Sequence, residues 1–245
     1  MCELCTNTAV QHMRVPRRSI FKLAAGAAAG LAMAPRAFAA PPKAPPKPEN
    51  VVSPDAALHR LMEGNARYVE GVSRRHDFRH EREALSKGQN PFAAVLSCAD
   101  SRIAPEYCFD TARGDLFVCR IAGNFASDEM TASLEYAVAV LNTPLILVLG
   151  HEACGAVDAT IKSVKDGTTL PGHLPSLVAA IKPAVDAVQG KPGDMLANAI
   201  QRNVALNVQA LSSAGPILKA AVDDKEIRVV GGVYKLNSGK VALLS

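Results

Sequence analysis

The sequence of 245 residues contains no tryptophan, and only 4% of its residues are aromatic. Apolar residues nevertheless make up 49% of the chain, which is ample for a hydrophobic core. The length fits one large domain or two small ones. Because the sequence has no internal repeat, we expect a single domain.

A surplus of basic residues is also lacking once the N-terminal segment is set aside. The whole chain has 27 basic and 23 acidic residues, a formal net charge of +4. Residues 1–39 hold five of the basic residues and one of the acidic residues, which leaves 22 of each in residues 40–245. A nucleic-acid-binding domain needs a clustered basic face. We therefore expect no nucleic-acid partner.

A hydrophobic run long enough to cross a membrane is missing from the N-terminal segment. Its apolar stretch, Leu23–Ala34, is about 12 residues long, whereas a membrane-spanning helix needs about 20. Arg17 and Arg18 precede the stretch, and a small-x-small pattern follows at residues 37–39. This arrangement resembles the twin-arginine export signal of bacteria and predicts a cleaved signal peptide over residues 1–39. A membrane anchor is the alternative. We expect a periplasmic or secreted protein without a membrane span in its mature form.

The remaining sequence predicts one domain over residues 53–245, preceded by a proline-rich linker at residues 40–52. Ser53-Pro54 is a typical helix start, with the serine as the N-cap residue and proline at the first helical position. Apolar residues at helical spacing continue to Tyr68. The charged stretch of residues 73–87 predicts a solvated helix or loop.

Short apolar runs that alternate with helical patterns predict an α/β fold. The predicted buried strands are Phe92–Ser97, Leu116–Arg120 and Leu145–Gly150, followed near the C-terminus by Glu226–Leu236 and a return strand at Lys240–Leu244. The predicted helices between them are Asp128–Leu141, Cys154–Lys165 and Asp194–Ser212. This order of elements predicts a mostly parallel central β-sheet flanked by helices in a single domain.

Of the six cysteines, Cys2 and Cys5 fall within the predicted signal peptide. In an exported protein the other four would first suggest disulfides. We interpret Cys108 and Cys119 as buried reduced thiols, with a disulfide between them as the alternative.

The last two cysteines, Cys98 and Cys154, belong to a predicted metal site. Cys98-Ala99-Asp100-Ser101-Arg102 follows one predicted strand directly, and His151 and Cys154 follow another. The carboxyl ends of neighbouring parallel strands share one edge of a sheet, where ligand sites form. Two thiolates and an imidazole suit Zn²⁺ and leave a fourth position open. Core thiols, a buried histidine and a capped turn are the alternative interpretation.

These two segments resemble the signature segments of the β-class carbonic anhydrases. The similarity extends over residues 54–244, with further matches at residues 114–117, 120–124, 133–137 and 231–234. It implies the β-carbonic anhydrase fold and one Zn²⁺ per chain, bound by Cys98, His151 and Cys154. The implied reaction is reversible hydration of CO₂ to bicarbonate and a proton, in which zinc-bound hydroxide attacks CO₂.

The resemblance also assigns roles to residues around the metal. Asp100 is either the fourth zinc ligand or the acceptor of a hydrogen bond from the hydroxide, and Arg102 holds Asp100. Substrate-binding positions of the family fall on Gln89, Phe117, Ala122, Tyr136 and Gly155. Gln89 is typical of the plant-like branch of the family. A loop glutamine, a core phenylalanine and a helix-stripe tyrosine remain alternatives.

One position departs from the family pattern. Ile121 stands where many relatives have asparagine, so a hydrogen bond from that position is not expected here.

The resemblance implies a homodimer or homotetramer. A hydrolase of a CO₂-like molecule, such as carbon disulfide, is one alternative function. A zinc-stabilised binding protein without turnover is the other.

Overall fold

A five-stranded sheet organises residues 45–244, which are the residues that the computed structural model describes. The strands are β1 (Ala93–Ser97), β2 (Leu116–Arg120), β3 (Leu145–His151), β4 (Arg228–Tyr234) and β5 (Val241–Leu243). Their order across the sheet is β2-β1-β3-β4-β5, with β5 antiparallel to β4 and every other pair parallel. The predicted α/β fold with a mostly parallel sheet is confirmed.

Helices cover both faces of this sheet. Within residues 45–244 they are α1 (Pro54–Val69), α2 (Phe78–Leu85), α3 (Pro105–Cys108), α4 (Asp128–Ala139), α5 (Gly155–Asp166), α6 (Leu174–Asp186), α7 (Met195–Ser213) and α8 (Ile217–Asp223). One face of the sheet packs against apolar residues of α1 and α3, and the other against those of α4, α7 and α8. Because β1 and β3 are central and covered on both sides, all their residues are buried.

The start of α1 confirms the predicted helix start. The hydroxyl oxygen of Ser53 accepts a hydrogen bond from the backbone N–H of Ala56, at 3.3 Å. Pro54 occupies the first helical position, where its missing N–H removes no intrahelical hydrogen bond.

Three helices of the structure were not predicted. One is α6, which contains Pro175 in its first turn and Pro183 in its interior. Proline is a strong helix breaker in sequence patterns, although it is well tolerated in the first turn. The other two are short: α3 has four residues, Pro105–Cys108, and α8 has seven, Ile217–Asp223. No helix within residues 45–244 is long and apolar enough to span a membrane.

The C-terminal part of the predicted linker belongs to the folded domain, which corrects the boundary at residue 52. Residues Pro48–Asn50 form a 3₁₀ turn. The ammonium of Lys47 lies 2.5 Å from Oδ1 of Asp115, and the two side chains are only 9% and 6% exposed. Lys47 and Asn90 also exchange two hydrogen bonds between the backbone of one and the side-chain amide of the other, at 3.0 and 2.7 Å. We call these contacts the Lys47 clamp. The predicted signal peptide lies outside the described residues.

Candidate metal centre

The metal centre lies where β1 and β3 end. These strands are parallel neighbours, with Ser97 paired to Leu149. Cys98 follows β1 directly, and His151 is the last residue of β3. Cys154 is the N-cap residue of α5. The sheet register therefore brings together the two segments that the sequence predicted to meet.

Three side chains at this edge have the arrangement of a metal-binding group. The ligand atoms of Cys98, His151 and Cys154 all lie within 4.8 Å of one another. All three residues are buried, at 4%, 0% and 1% exposure. Two sulfurs and one imidazole nitrogen form a donor set of the kind that zinc prefers, and a fourth position stays free for water or substrate.

The imidazole of His151 is oriented with one nitrogen free for a metal. Its Nδ1 lies 2.8 Å from the backbone carbonyl of Glu152, an acceptor that holds the proton on this nitrogen. Its Nε2 is buried and has no hydrogen-bond partner. A buried polar atom without a partner is unfavourable. A metal ligated by Nε2 would satisfy it, and a backbone acceptor on the other nitrogen is the usual companion of a metal-binding histidine. The residues present thus fit a zinc ion.

The contact between Cys98 and Cys154 shifts the pKa of both thiols. A hydrogen bond from Cys154 lowers the pKa of Cys98 to about 4, with smaller contributions from His151 and the N–H of Gly123. The same contact with Cys98, together with burial, raises the pKa of Cys154. The contact therefore favours the thiolate at Cys98 and the neutral thiol at Cys154. The thiolate is the form of cysteine that binds metals.

Asp100 and Arg102 form a bidentate ion pair beside this group. Nε and the backbone N–H of Arg102 both donate to Oδ1 of Asp100 at 2.9 Å, and an Nη donates to Oδ2 at 2.7 Å. These hydrogen bonds from Arg102 hold the pKa of Asp100 well below its usual range. Oδ2 lies 3.8 Å from Nε2 of His151. An ionised carboxylate is therefore held next to the free imidazole nitrogen.

Arg120, which sequence reasoning did not single out, holds the turn that carries Cys98 and Asp100. It is the last residue of β2, and its Nε donates to the carbonyl of Cys98 at 3.0 Å. One Nη donates to the carbonyl of Asp100 at 2.7 Å. A charged residue at the end of a predicted buried strand was the available signal, since Cys98 and His151 lie at or directly after the ends of β1 and β3.

The predicted substrate-binding residues lie on several different elements of the fold. Gly155 is exposed at the start of α5, next to Cys154, and Ala122 is half-buried next to Gly123. Phe117 on β2 and Tyr136 on α4 have ring centroids 6.3 Å apart, and Tyr136 is 47% exposed. Gln89 is exposed in the loop before β1. Within residues 45–244, no hydrogen bond or ion pair joins Gln89, Phe117 or Tyr136 to the metal group, and their roles stay predictions.

The other two described cysteines are buried and free, as predicted. Burial raises the pKa of Cys108 to about 11 and also raises that of Cys119. Both thiols therefore remain neutral at physiological pH. The alternative disulfide between them is absent from the structure.

Comparison with known families identifies the protein class that shares this arrangement. The family model described as "Carbonic anhydrase" matches residues 93–241, a span that includes all three candidate metal ligands. The chain belongs to the carbonic anhydrase family. Carbonic anhydrase 2 of Mycobacterium tuberculosis is 36% identical over 192 residues, which cover 78% of this chain and 93% of that protein. The carbonic anhydrase of Mycolicibacterium smegmatis is 36% identical over 198 residues, covering 79% of this chain and 94% of that protein.

Solved structures place this family member in the β class. The β-carbonic anhydrase CcaA superposes with a TM-score of 0.59 and 26% sequence identity. The match covers 77% of this chain and 95% of CcaA. A β-carbonic anhydrase from Coccomyxa superposes with a TM-score of 0.58 at 25% identity, over 78% of this chain and 82% of that one. The β-carbonic anhydrase fold implied by the sequence motifs is therefore confirmed.

Proposed function

We propose that this protein catalyses the reversible hydration of CO₂ to bicarbonate and a proton, with one Zn²⁺ per chain. The observation that carries the proposal is the buried group of Cys98, His151 and Cys154, with an ionised Asp100 beside it. Bound zinc supplies a nucleophile at neutral pH because it lowers the pKa of water to about 7. The relatives with 36% identity are named carbonic anhydrases, which supports the same reaction here.

Asp100 orients the attacking oxygen in this proposal. An ionised carboxylate accepts hydrogen bonds and donates none. Asp100 therefore takes a hydrogen bond from the nucleophile and directs its lone pair towards CO₂. Both of its oxygens are engaged by Arg102, which supports the role of hydrogen-bond acceptor over that of fourth zinc ligand. Arg102 keeps the carboxylate charged and fixed in orientation.

For substrate binding we propose the residues that the family resemblance assigns. Gln89 donates a hydrogen bond to an oxygen of CO₂ or bicarbonate, as in the plant-like branch of the family. Phe117, Ala122 and Tyr136 provide apolar walls. Gly155 offers a backbone N–H at the start of α5, where the helix dipole favours an anion such as bicarbonate.

We further propose that the protein acts as a homodimer or homotetramer. Tyr136 on α4 and Val140, the C-cap residue of that helix, are 47% and 57% exposed, and Tyr107 on α3 is 75% exposed. Contact with a second copy would cover such side chains. Analytical ultracentrifugation of the wild type and of Tyr136→Arg tests this. A wild type that stays monomeric at micromolar concentration would contradict the proposal.

Export to the periplasm or outside the cell is proposed on the sequence of residues 1–39 alone. N-terminal sequencing of the protein recovered from the bacterial host gives the test. We expect a mature chain that starts at Ala40, and replacement of Arg17 and Arg18 by lysine should retain it in the cytoplasm. Recovery of uncleaved cytoplasmic protein from the wild-type gene would contradict export.

A stopped-flow CO₂ hydration assay on the purified protein, with metal analysis of the same sample, tests the proposed reaction. We expect about one zinc per chain and hydration that rises with pH, because the nucleophile requires deprotonation near pH 7. A fully zinc-loaded protein without hydration at neutral and at alkaline pH would refute the proposal. Parallel assay with carbon disulfide distinguishes the alternative hydrolase, which would turn over only that substrate.

A further inference from the structure

Two asparagines on α7 lie close to the metal centre without being part of it. Asn203 and Asn207 are 2% and 8% exposed and are separated by one helical turn. Other residues of α7 pack in the same apolar cluster as Cys98 and Cys154, namely Ala199 and Ile200. Burying an amide among apolar side chains is unfavourable unless the amide is hydrogen bonded. The partners of these two amides therefore show what they stabilise.

The two amides hold the loop after β2 at two points. Nδ2 of Asn203 donates to the carbonyl of Gly123 at 2.8 Å, and Oδ1 of Asn207 accepts from the N–H of Ala126 at 2.7 Å. Nδ2 of Asn207 donates in turn to the backbone carbonyl of Asn203 at 2.8 Å and to its side-chain oxygen at 3.3 Å. Residues 123–126 are thus tied to α7 by one hydrogen-bond network.

The loop held in this way has a backbone conformation that needs support. Gly123 has a φ of +84° and Asn124 a φ of +43°, both in the left-handed region. A Cβ at Gly123 would lie 2.5 Å from Cδ1 of Ile181, and the positive φ independently favours glycine there. Strained conformations of this kind persist when the surrounding structure fixes them. The amides of α7 provide that constraint.

The same loop reaches a metal ligand directly. The backbone N–H of Gly123 donates to Sγ of Cys98 at 3.3 Å. A donor to a ligating sulfur fixes the position of that sulfur and tunes its affinity for the metal. We propose that Asn203 is a positioning residue for the metal centre. By holding the carbonyl of Gly123, it keeps the N–H of the same residue directed at Cys98, and Asn207 supports it.

This inference rests on the proposed zinc function and concerns metal affinity, which can be measured without turnover. Zinc affinity of Asn203→Leu is measured by competition with a chromophoric chelator. We expect the dissociation constant to rise about 10- to 100-fold, the range found when partners of metal ligands are removed. The Co²⁺-substituted variant should also show a shifted thiolate-to-metal charge-transfer band, because the environment of Cys98 changes.

Leu211→Ala is the matched control, since Leu211 is a fully buried residue of α7 outside the asparagine network. It lowers stability, and its zinc affinity and Co²⁺ spectrum should match the wild type. Asn207→Ala serves as a second variant if Asn203→Leu fails to fold, and we expect a smaller rise in the dissociation constant. Wild-type affinity in the asparagine variants, or an equal loss in Leu211→Ala, would overturn the inference. A wild type that binds no zinc would instead refute the proposed function itself.

Discussion

The metal-binding edge and the predicted substrate-binding surface differ in how completely one chain builds them. At the metal-binding edge, Cys98, His151 and Cys154 are buried with their ligand atoms within 4.8 Å of one another. On the predicted substrate-binding surface, Gln89 is exposed and Tyr136 is 47% exposed. No hydrogen bond or ion pair in the described part of the chain connects those two side chains to the metal group.

This difference separates two tasks of the proposed enzyme. A single chain supplies all three candidate metal ligands, because sheet register aligns the ends of β1 and β3. Of the proposed substrate-binding side chains, Gln89 and Tyr136 are open to solvent in one chain, and we propose that a second copy encloses them. Changes at the metal-binding edge should therefore remove metal or rate, whereas changes on the predicted substrate-binding surface should alter substrate affinity and assembly.

The largest effect is expected for Cys98→Ser, which removes one of the three ligand atoms. Zinc content should fall from one per chain to near zero, and hydration should fall to the rate of the buffer. Metal analysis and stopped-flow assays measure both. Cys119→Ser is the matched control, because Cys119 is a buried free cysteine on the neighbouring strand β2. Full zinc retention in Cys98→Ser would contradict the ligand assignment.

A large effect on rate with little effect on metal is expected for Asp100→Asn. Removing one preorganised hydrogen-bonding group at a reacting centre lowers a rate about 10²- to 10³-fold, so kcat/KM should fall within that range while zinc content is unchanged. The control is Asp186→Asn, which alters an exposed aspartate paired with Lys182. If Asp100→Asn loses zinc together with activity, Asp100 acts as a ligand instead of an acceptor.

A moderate effect is expected on the predicted substrate-binding surface. Loss of one neutral hydrogen bond corresponds to about 0.5–1.5 kcal/mol, so Gln89→Ala should raise KM for CO₂ about 2- to 10-fold. Zinc content should stay at one per chain. Gln189→Ala changes an exposed glutamine elsewhere and should leave KM unchanged. An unaltered KM in Gln89→Ala would remove this residue from the substrate-binding surface.

The smallest effect is expected for Arg102→Gln, which removes the ion pair with Asp100 and should lower stability in a pH-dependent way. Because Arg102 lowers the pKa of Asp100 in the folded state, the pair stabilises the fold above the unfolded pKa of about 3.9. That stabilisation is lost as the pH falls through the lower folded pKa. Metal-free Arg102→Gln should therefore have a lower free energy of unfolding than the wild type at pH 7. This difference in the free energy of unfolding, called the gap below, should narrow below about pH 4.

Urea unfolding in the presence of a chelator measures this gap at pH 7, 4 and 3. The gap should be small, since the Arg102 side chain is 50% exposed and solvent screens the pair. Arg228→Gln is the control, because its partner Asp55 is 80% exposed and its gap should be near zero at every pH. A gap for Arg102→Gln that stays constant down to pH 3 would contradict the assigned pKa shift.

The strands and the metal ligands could be predicted because their signals are local. Central parallel strands are buried on both faces, so β1 and β3 are continuous apolar runs in the sequence. Each metal ligand lies at or close after the end of such a run. By contrast, α6 contains two prolines, and a proline inside a helical pattern normally argues against a helix.

The residues that position the metal centre were not predictable in the same way, because their partners are distant in sequence. Asn203 contacts the carbonyl of a residue 80 positions earlier, and Arg120 contacts the carbonyl of a residue 22 positions earlier. Asparagine is a polar residue, so by residue type alone it is expected on the solvent-exposed face of a helix. The only sequence signal was that Asn203 and Asn207 share the apolar side of the α7 pattern.

The Lys47 clamp limits how far along the chain the proposed cleavage of the N-terminal segment can occur without loss of stability. A protease that cuts after the predicted signal peptide, at residue 39, leaves Lys47 in place to neutralise Asp115. A cut a few residues further along, beyond Lys47, would remove this ammonium from Asp115, whose side chain is 6% exposed in the intact fold, and would leave the ion pair with Arg60 at 3.6 Å. Removing one partner of a buried ion pair typically destabilises a protein by about 3–5 kcal/mol. If the N-terminal segment is cleaved as proposed, chains cut beyond Lys47 should unfold more readily and be degraded sooner than chains cut after residue 39.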